Sequence, residues 1–157
     1  MARRVNTKFL TVLTIVVVGL GILGLIANKF LIHESPEKYI NAGNEFLAAK
    51  KYEEAVKAYA RAVGLDKNNP NLWVAYGDAL NQLSSQDIEY MRRARSAWDQ
   101  ALAVDPNNRA ALDRMMQFWS DVANMSSTSP DVFKQLELTA RKLFEADKNN
   151  NAAEIAT

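Results

Sequence analysis

The hydrophobic residues of this chain follow two different patterns. From Phe9 to Ala27, nineteen consecutive residues carry no charge, and Leu, Val and Ile dominate, interrupted only by Thr11, Thr14 and three glycines. Beyond residue 35 the apolar residues return at three- and four-residue intervals among polar ones, which is the spacing of one face of an α-helix. The first pattern predicts one uniformly apolar helix. The second predicts a succession of amphipathic helices.

An uncharged run of nineteen residues rises about 28 Å as a helix, close to the ~30 Å thickness of a bilayer's hydrocarbon layer. A transmembrane anchor is therefore expected over residues 9–31, with a tail over 1–8 and a juxtamembrane linker over 32–35. Arg3, Arg4 and Lys8 precede the run, so the excess of positive charge places the N-terminus in the cytoplasm. Everything after the anchor is then expected on the non-cytoplasmic side, as in a bacterial inner membrane facing the periplasm. A cleaved signal peptide is the competing reading, but its apolar region is usually shorter and Leu25 stands where its cleavage site needs a small residue. Gly19, Gly21 and Gly24 match G-x-G-x-x-G. They lack the preceding strand and downstream acid that give that motif its chemistry, so no cofactor is expected.

After His33-Glu34, the segment Ser35-Pro36-Glu37 has the form of a helix start: an N-cap serine, proline at the first helical position, an acid in the first turn. The chain then repeats itself. Asp66-Lys67-Asn68-Asn69, Asp105-Pro106-Asn107-Asn108 and Asp147-Lys148-Asn149-Asn150 are near-identical and are expected to form turns, each closing an amphipathic stretch. The steps from Asp66 to Asp105 and from Asp105 to Asp147 each equal a base period of about 34 residues with a short insertion. The insertions fall around Ser84-Ser85-Gln86 and Ser126–Pro130. Tyr39, Ala42, Gly43 and Phe46 are followed by Ala55, Tyr59 and Ala62. Trp73, Tyr76, Gly77 and Leu80 are followed by Ala94, Trp98 and Ala101. Tyr39 to Trp73 and Gly43 to Gly77 span the same interval, one uninterrupted base period.

These residues resemble the tetratricopeptide repeat family, whose unit is a pair of antiparallel helices, A and B, with a glycine where they touch and small residues opposite. The resemblance implies an all-α fold: a TPR-type α-solenoid of about three helix pairs following the N-terminal transmembrane helix. The repeats would occupy about 36–69, 70–108 and 109–150 of a domain spanning 36–150, leaving 151–157 as a tail or the start of a further helix. The third repeat departs from the pattern, with Met116 in place of glycine and Leu136 in place of alanine. Added bulk at the point of closest approach should hold that helix pair further apart.

Charge and composition narrow the function. Residues 1–35 carry four basic side chains against one acidic, whereas the remainder is mildly acidic, so the helical part lacks the positive face that nucleic acid requires. There is no cysteine and a single histidine, His33; thiolate metal sites and thiol nucleophiles are excluded, and no enzyme or metal centre is expected. Carboxylate pairs such as Glu53-Glu54 point in different directions on a helix. Arg92, Arg93 and Arg95 read as a solvated helix face.

What remains is the helix A groove, in which the family resemblance implies peptide binding. Carried over position by position, it is formed by Glu37, Ile40, Asn44 and Leu47 from repeat one. Repeat two adds Asn71, Val74, Asp78 and Asn81, and repeat three adds Asp113, Arg114, Gln117 and Asp121. Family members that clamp a C-terminal carboxylate use two lysines, two asparagines and an arginine. Here those positions read Ile40, Asn44, Ala75, Ala110 and Arg114, so both lysines are missing, and the groove acids outnumber Arg114. Asp78 and Asp113 are expected to face solvent, so that lysine at both would weaken a groove ligand without unfolding the domain. The expected function is a membrane-tethered scaffold or assembly factor holding a basic or polar segment of a partner polypeptide, with lipid around residues 9–31. A structural subunit of a larger complex and the anchor-plus-repeat part of a longer protein are the alternatives.

Overall fold

The computed structural model describes residues 7–31, 34–125 and 129–155, with side chains described at Lys8, over 11–23 and from Glu34 to Lys148 apart from 126–128. Arg3, Arg4 and His33 lie outside the described residues. Seven helices are described, in two compact units covering 1–34 and 35–157. The first unit holds α1 (Thr7–Leu31). The second holds α2 (Pro36–Ala48), α3 (Tyr52–Leu65), α4 (Pro70–Asn81), α5 (Ile88–Val104), α6 (Arg109–Met125) and α7 (Pro130–Ile155).

Among the described residues, no helix is long and apolar enough to cross a membrane. This overturns the transmembrane anchor expected over 9–31. The lipid contact, the single-pass topology and the placement of the repeats beyond a membrane rested on that anchor and are corrected with it.

The second unit is built from consecutive helix pairs, α2/α3, α4/α5 and α6/α7, with α3 packed on α4 and α5 on α6. The recurring turns explain how one pair hands over to the next. Asp66 accepts a hydrogen bond from the Asn68 backbone N–H (3.3 Å), and Asn69 caps α4 by accepting from Asn71 N–H (3.1 Å) ahead of Pro70 at the first helical position. The second turn repeats the arrangement: Asp105 accepts from Asn107 N–H (3.0 Å) and Asn108 from Ala111 N–H (3.0 Å). Each turn thus satisfies backbone donors that a new helix leaves open. The third such sequence does not turn. At Asp147 the carboxylate instead bonds Arg109 of α6, and α7 continues through it to Ile155. Ser35 does sit at the N-cap of α2 with Pro36 inside the helix, but its hydroxyl donates to the Glu37 carboxylate rather than capping the backbone.

Two glycines set how closely the paired helices approach. A Cβ on Gly43 would lie 2.8 Å from the Tyr59 ring, and one on Gly77 would lie 2.4 Å from Trp98 Nε1 and 3.1 Å from the Ala94 carbonyl oxygen. Tyr59 and Trp98 are almost fully buried, at 1% and 3% exposure, so neither ring has room to retreat. Around them Ala55, Ala62, Ala94 and Ala101, all fully buried, provide flat surfaces for the neighbouring helix. In the third pair Ala140 stands at the position of the rings, so a methyl group replaces an aromatic side chain there, and Met116 and Leu136 are half-buried. A hollow of about 140 Å³ remains nearby, lined by residues of α5, α6 and α7 that include Leu102, Leu112, Met115 and Thr139.

Glycine substitutions should therefore act in opposite directions at two positions. Gly77→Leu is expected to cost on the order of 1–3 kcal/mol through overpacking, seen as a lower urea midpoint. Gly64→Ala, where a Cβ meets nothing within 4 Å, should raise the midpoint by up to about 1 kcal/mol of helix propensity. Equal shifts of the same sign would contradict the packing described.

Candidate functional site

The groove residues lie along α2, α4 and α6, and the structure sorts them into three groups. Glu37, Asn44, Asn71, Asn81, Asp113, Gln117 and Asp121 are exposed, and Ile40, Leu47, Asp78 and Arg114 are half-buried. Val74 is buried at 7% exposure, packed with Ala101 and Ala111, so it belongs to the core rather than to a ligand surface. Ile40 and Leu47 lean on the apolar clusters beneath them.

The exposed and half-buried polar groups are tied to one another and to the core. The Tyr59 hydroxyl donates to Asn44 Oδ1 at 2.6 Å, and Trp98 Nε1 donates to Asp78 Oδ1 at 3.2 Å. Each acceptor directly follows the glycine against which the ring packs. The same arrangement therefore appears in repeats one and two: glycine admits the ring, and the next residue binds the ring's polar tip. Burial raises the Tyr59 phenol above the usual tyrosine range, with the nearby Asp78 charge adding to it. The hydroxyl stays protonated and serves as a donor at neutral pH.

Asp78 also receives Arg114 from α6, Nε to Oδ1 at 2.7 Å and Nη2 to Oδ2 at 3.0 Å. This two-bonded geometry is the strong form of an arginine–carboxylate pair. The hydrogen bond to Asp78 raises the Arg114 pKa further above its ordinary value. A second link joins α4 to the turn that precedes α6, Asn108 Nδ2 donating to Asn71 Oδ1 at 3.1 Å. Asp113, by contrast, is engaged by Arg109 at 3.2 Å, and Arg109 also reaches Asp147 on α7.

These pairings change the electrostatic expectation. Asp78 and Asp113 were expected to be solvated acids that make the groove negative. Asp78 is neutralised and half-buried, and Asp113 is paired. Asn81, Arg114, Gln117 and Asp121 do come together, lining a small hollow of about 50 Å³ floored by Met91, Trp98 and Phe118. Glu37 stands apart, its carboxyl held below the usual range chiefly by the Ser35 hydroxyl. Tyr59, Trp98, Asn108 and Arg109 were missed as supports of this surface. The signal for two of them was a Gly-Asn or Gly-Asp pair facing a polar-tipped aromatic on helix B.

Replacing Asp78 by Ala should accordingly destabilise the unit. It strips the acceptor from a buried indole N–H and leaves Arg114 half-buried without its carboxylate, a loss of about 1–3 kcal/mol. The urea midpoint checks it, and an unchanged midpoint would mean that the network is incidental. The expectation that Asp78→Lys leaves the fold untouched is corrected on the same ground, since it would set an ammonium against Arg114.

A TPR repeat family model matches residues 43–84, which covers Gly43, Tyr59, Gly77 and the turn at Asp66. No curated protein is significantly similar in sequence. Among solved structures, the TPR2B-domain:pHsp70-complex of yeast Sti1 is 22% identical, covering 77% of this chain and 90% of that one, with a TM-score of 0.56. The Sgt2 TPR domain from Aspergillus fumigatus is 23% identical over 72% of this chain and 82% of its own, at a TM-score of 0.49. Residues 43–84 thus match the TPR repeat model, and the fold is similar to that of the yeast domain.

Proposed function

We propose that the second unit is a non-enzymatic scaffold that binds a polar or basic segment of a partner polypeptide on the surface of α2, α4 and α6. The observation that carries this reading is the row of polar groups held in place from below: Asn44 by Tyr59, Asp78 by Trp98 and Arg114, Asn71 by Asn108. Fixed donors and acceptors bind an extended chain without the entropic cost of ordering loose side chains. The fold's likeness to the TPR2B domain of yeast Sti1, seen in a pHsp70 complex, lends support to a peptide as the ligand class.

The chemistry of the row favours amide-rich and basic segments over free acidic termini. The two lysine positions of a carboxylate clamp hold other residues, and Arg114, at the clamp's arginine position, is already committed to Asp78 through two bonds. An incoming carboxylate would have to displace Asp78 and strand it half-buried. Asn81 and Gln117 offer amides that can bond a peptide backbone in either direction, and Asp121 adds a negative charge beside them. The resulting affinity should depend only moderately on salt, because two of the four groove acids are internally neutralised.

Titration of the second unit with two fluorescent probe peptides tests this reading, one rich in lysine and asparagine, the other ending in an acidic tail. The basic peptide should bind and the acidic one should not. Asn81→Ala with Asp121→Lys should weaken the basic peptide about fivefold or more, with an unchanged unfolding midpoint since both side chains are exposed. Tighter binding of the acidic peptide, or indifference to the double substitution, would contradict the assignment.

A further inference from the structure

Inside this chain one helix B docks on the next helix A in a constant register. From α3, Val63 clusters with Leu72 against Trp73 and Tyr76, while Tyr52 and Val56 pack with Leu80. Stepping Tyr52, Val56 and Val63 forward by the interval from Asp66 to Asp105 gives Met91, Arg95 and Leu102 of α5. There Arg95 lies 5.7 Å from the Trp119 ring of α6 and Leu102 packs beside Met115. The next step, from Asp105 to Asp147, gives Phe133, Glu137 and Phe144 of α7. Phe133 is 55% exposed and Phe144 72%: the face that docks a following helix A in the first two repeats is uncovered in the third.

The complementary half is present at the other end of the unit. Tyr39 and Phe46 of α2 stand one base period before Trp73 and Leu80, the side chains of α4 that receive α3. With Ala42 and Ala58 they line an open, largely apolar hollow of about 400 Å³, rimmed by Lys57 and Arg61. We infer that these two surfaces are halves of one contact: α7 of one copy docks in the α2/α3 hollow of a second copy, head to tail. The contact continues between molecules the packing made twice within each. Charges on both sides are mixed in sign, Glu54 with Lys57 and Arg61 at the rim, Glu137 paired to Arg141 at 3.2 Å beside Phe144, so the apolar register carries the recognition. A contact of unlike surfaces leaves one free end of each kind on every pair and propagates into chains or a closed ring rather than stopping at a two-fold dimer.

The chain contains no cysteine, so single cysteines report the contact directly. Full-length Ala42→Cys and Phe144→Cys variants, mixed and treated with a short bismaleimide, should give a 42–144 crosslink well above the 42–42 and 144–144 products. Phe133→Asp in the Phe144→Cys background should reduce that product about tenfold without loss of helicity, because Phe133 is exposed. A predominance of 144–144 crosslinks would indicate a symmetric contact and overturn the inference. So would a mixed product no greater than for cysteines placed at Ser96 and Asn107, or one insensitive to Phe133→Asp.

Discussion

The second unit depends on the contact between a helix A glycine and a helix B ring. With no side chain at Gly43 and Gly77, Tyr59 and Trp98 lie directly against the backbone of the partner helix. That closeness buries the rings, and it also delivers their polar tips to the far side of helix A, where Asn44 and Asp78 receive them. One contact thus does two things. It fixes the spacing of the pair, and it pins the polar row on which ligand binding is proposed. A buried indole N–H or phenol must find an acceptor, so the identity of the residue after each glycine is set from inside the core.

The third pair shows what happens without that contact. Met116 and Ala140 replace glycine and ring, residues of α5, α6 and α7 line a hollow nearby, and Trp119 Nε1 is buried with no hydrogen-bond partner among the described residues. Repeat three contributes to the surface through Arg114, which reaches across to Asp78. The A-helix surface is therefore held by rings in its first two repeats and by an ion pair in the last.

Much of this was legible in the residues. The interval shared by Tyr39/Trp73 and Gly43/Gly77 located the close approaches, and the Asp-x-Asn-Asn runs located two of the three turns. The third run does not turn, and its Asp147 meets Arg109, a tertiary contact that a local motif does not reveal. The membrane span was read from a continuous uncharged stretch, and no helix among the described residues is long and apolar enough to carry it. The proposed groove residues fall on α2, α4 and α6, but Asp78 and Asp113, read as solvated acids, are each paired with an arginine. Asp78 and Arg114 lie in different repeats, far apart in sequence, and only the side-by-side packing of α4 and α6 shows that they neutralise one another.

The three tryptophans make the central claim measurable, because each indole N–H has a different environment. Trp98 donates to Asp78 beneath the proposed surface, Trp73 donates to the Lys67 carbonyl at a turn, and Trp119 finds no acceptor among the described residues. In a 15N-labelled sample titrated with the basic peptide, the Trp98 indole resonance should move while that of Trp73 stays in place. A peptide that binds and shifts Trp73 but leaves Trp98 unmoved would show that the ring-supported row is not the binding surface.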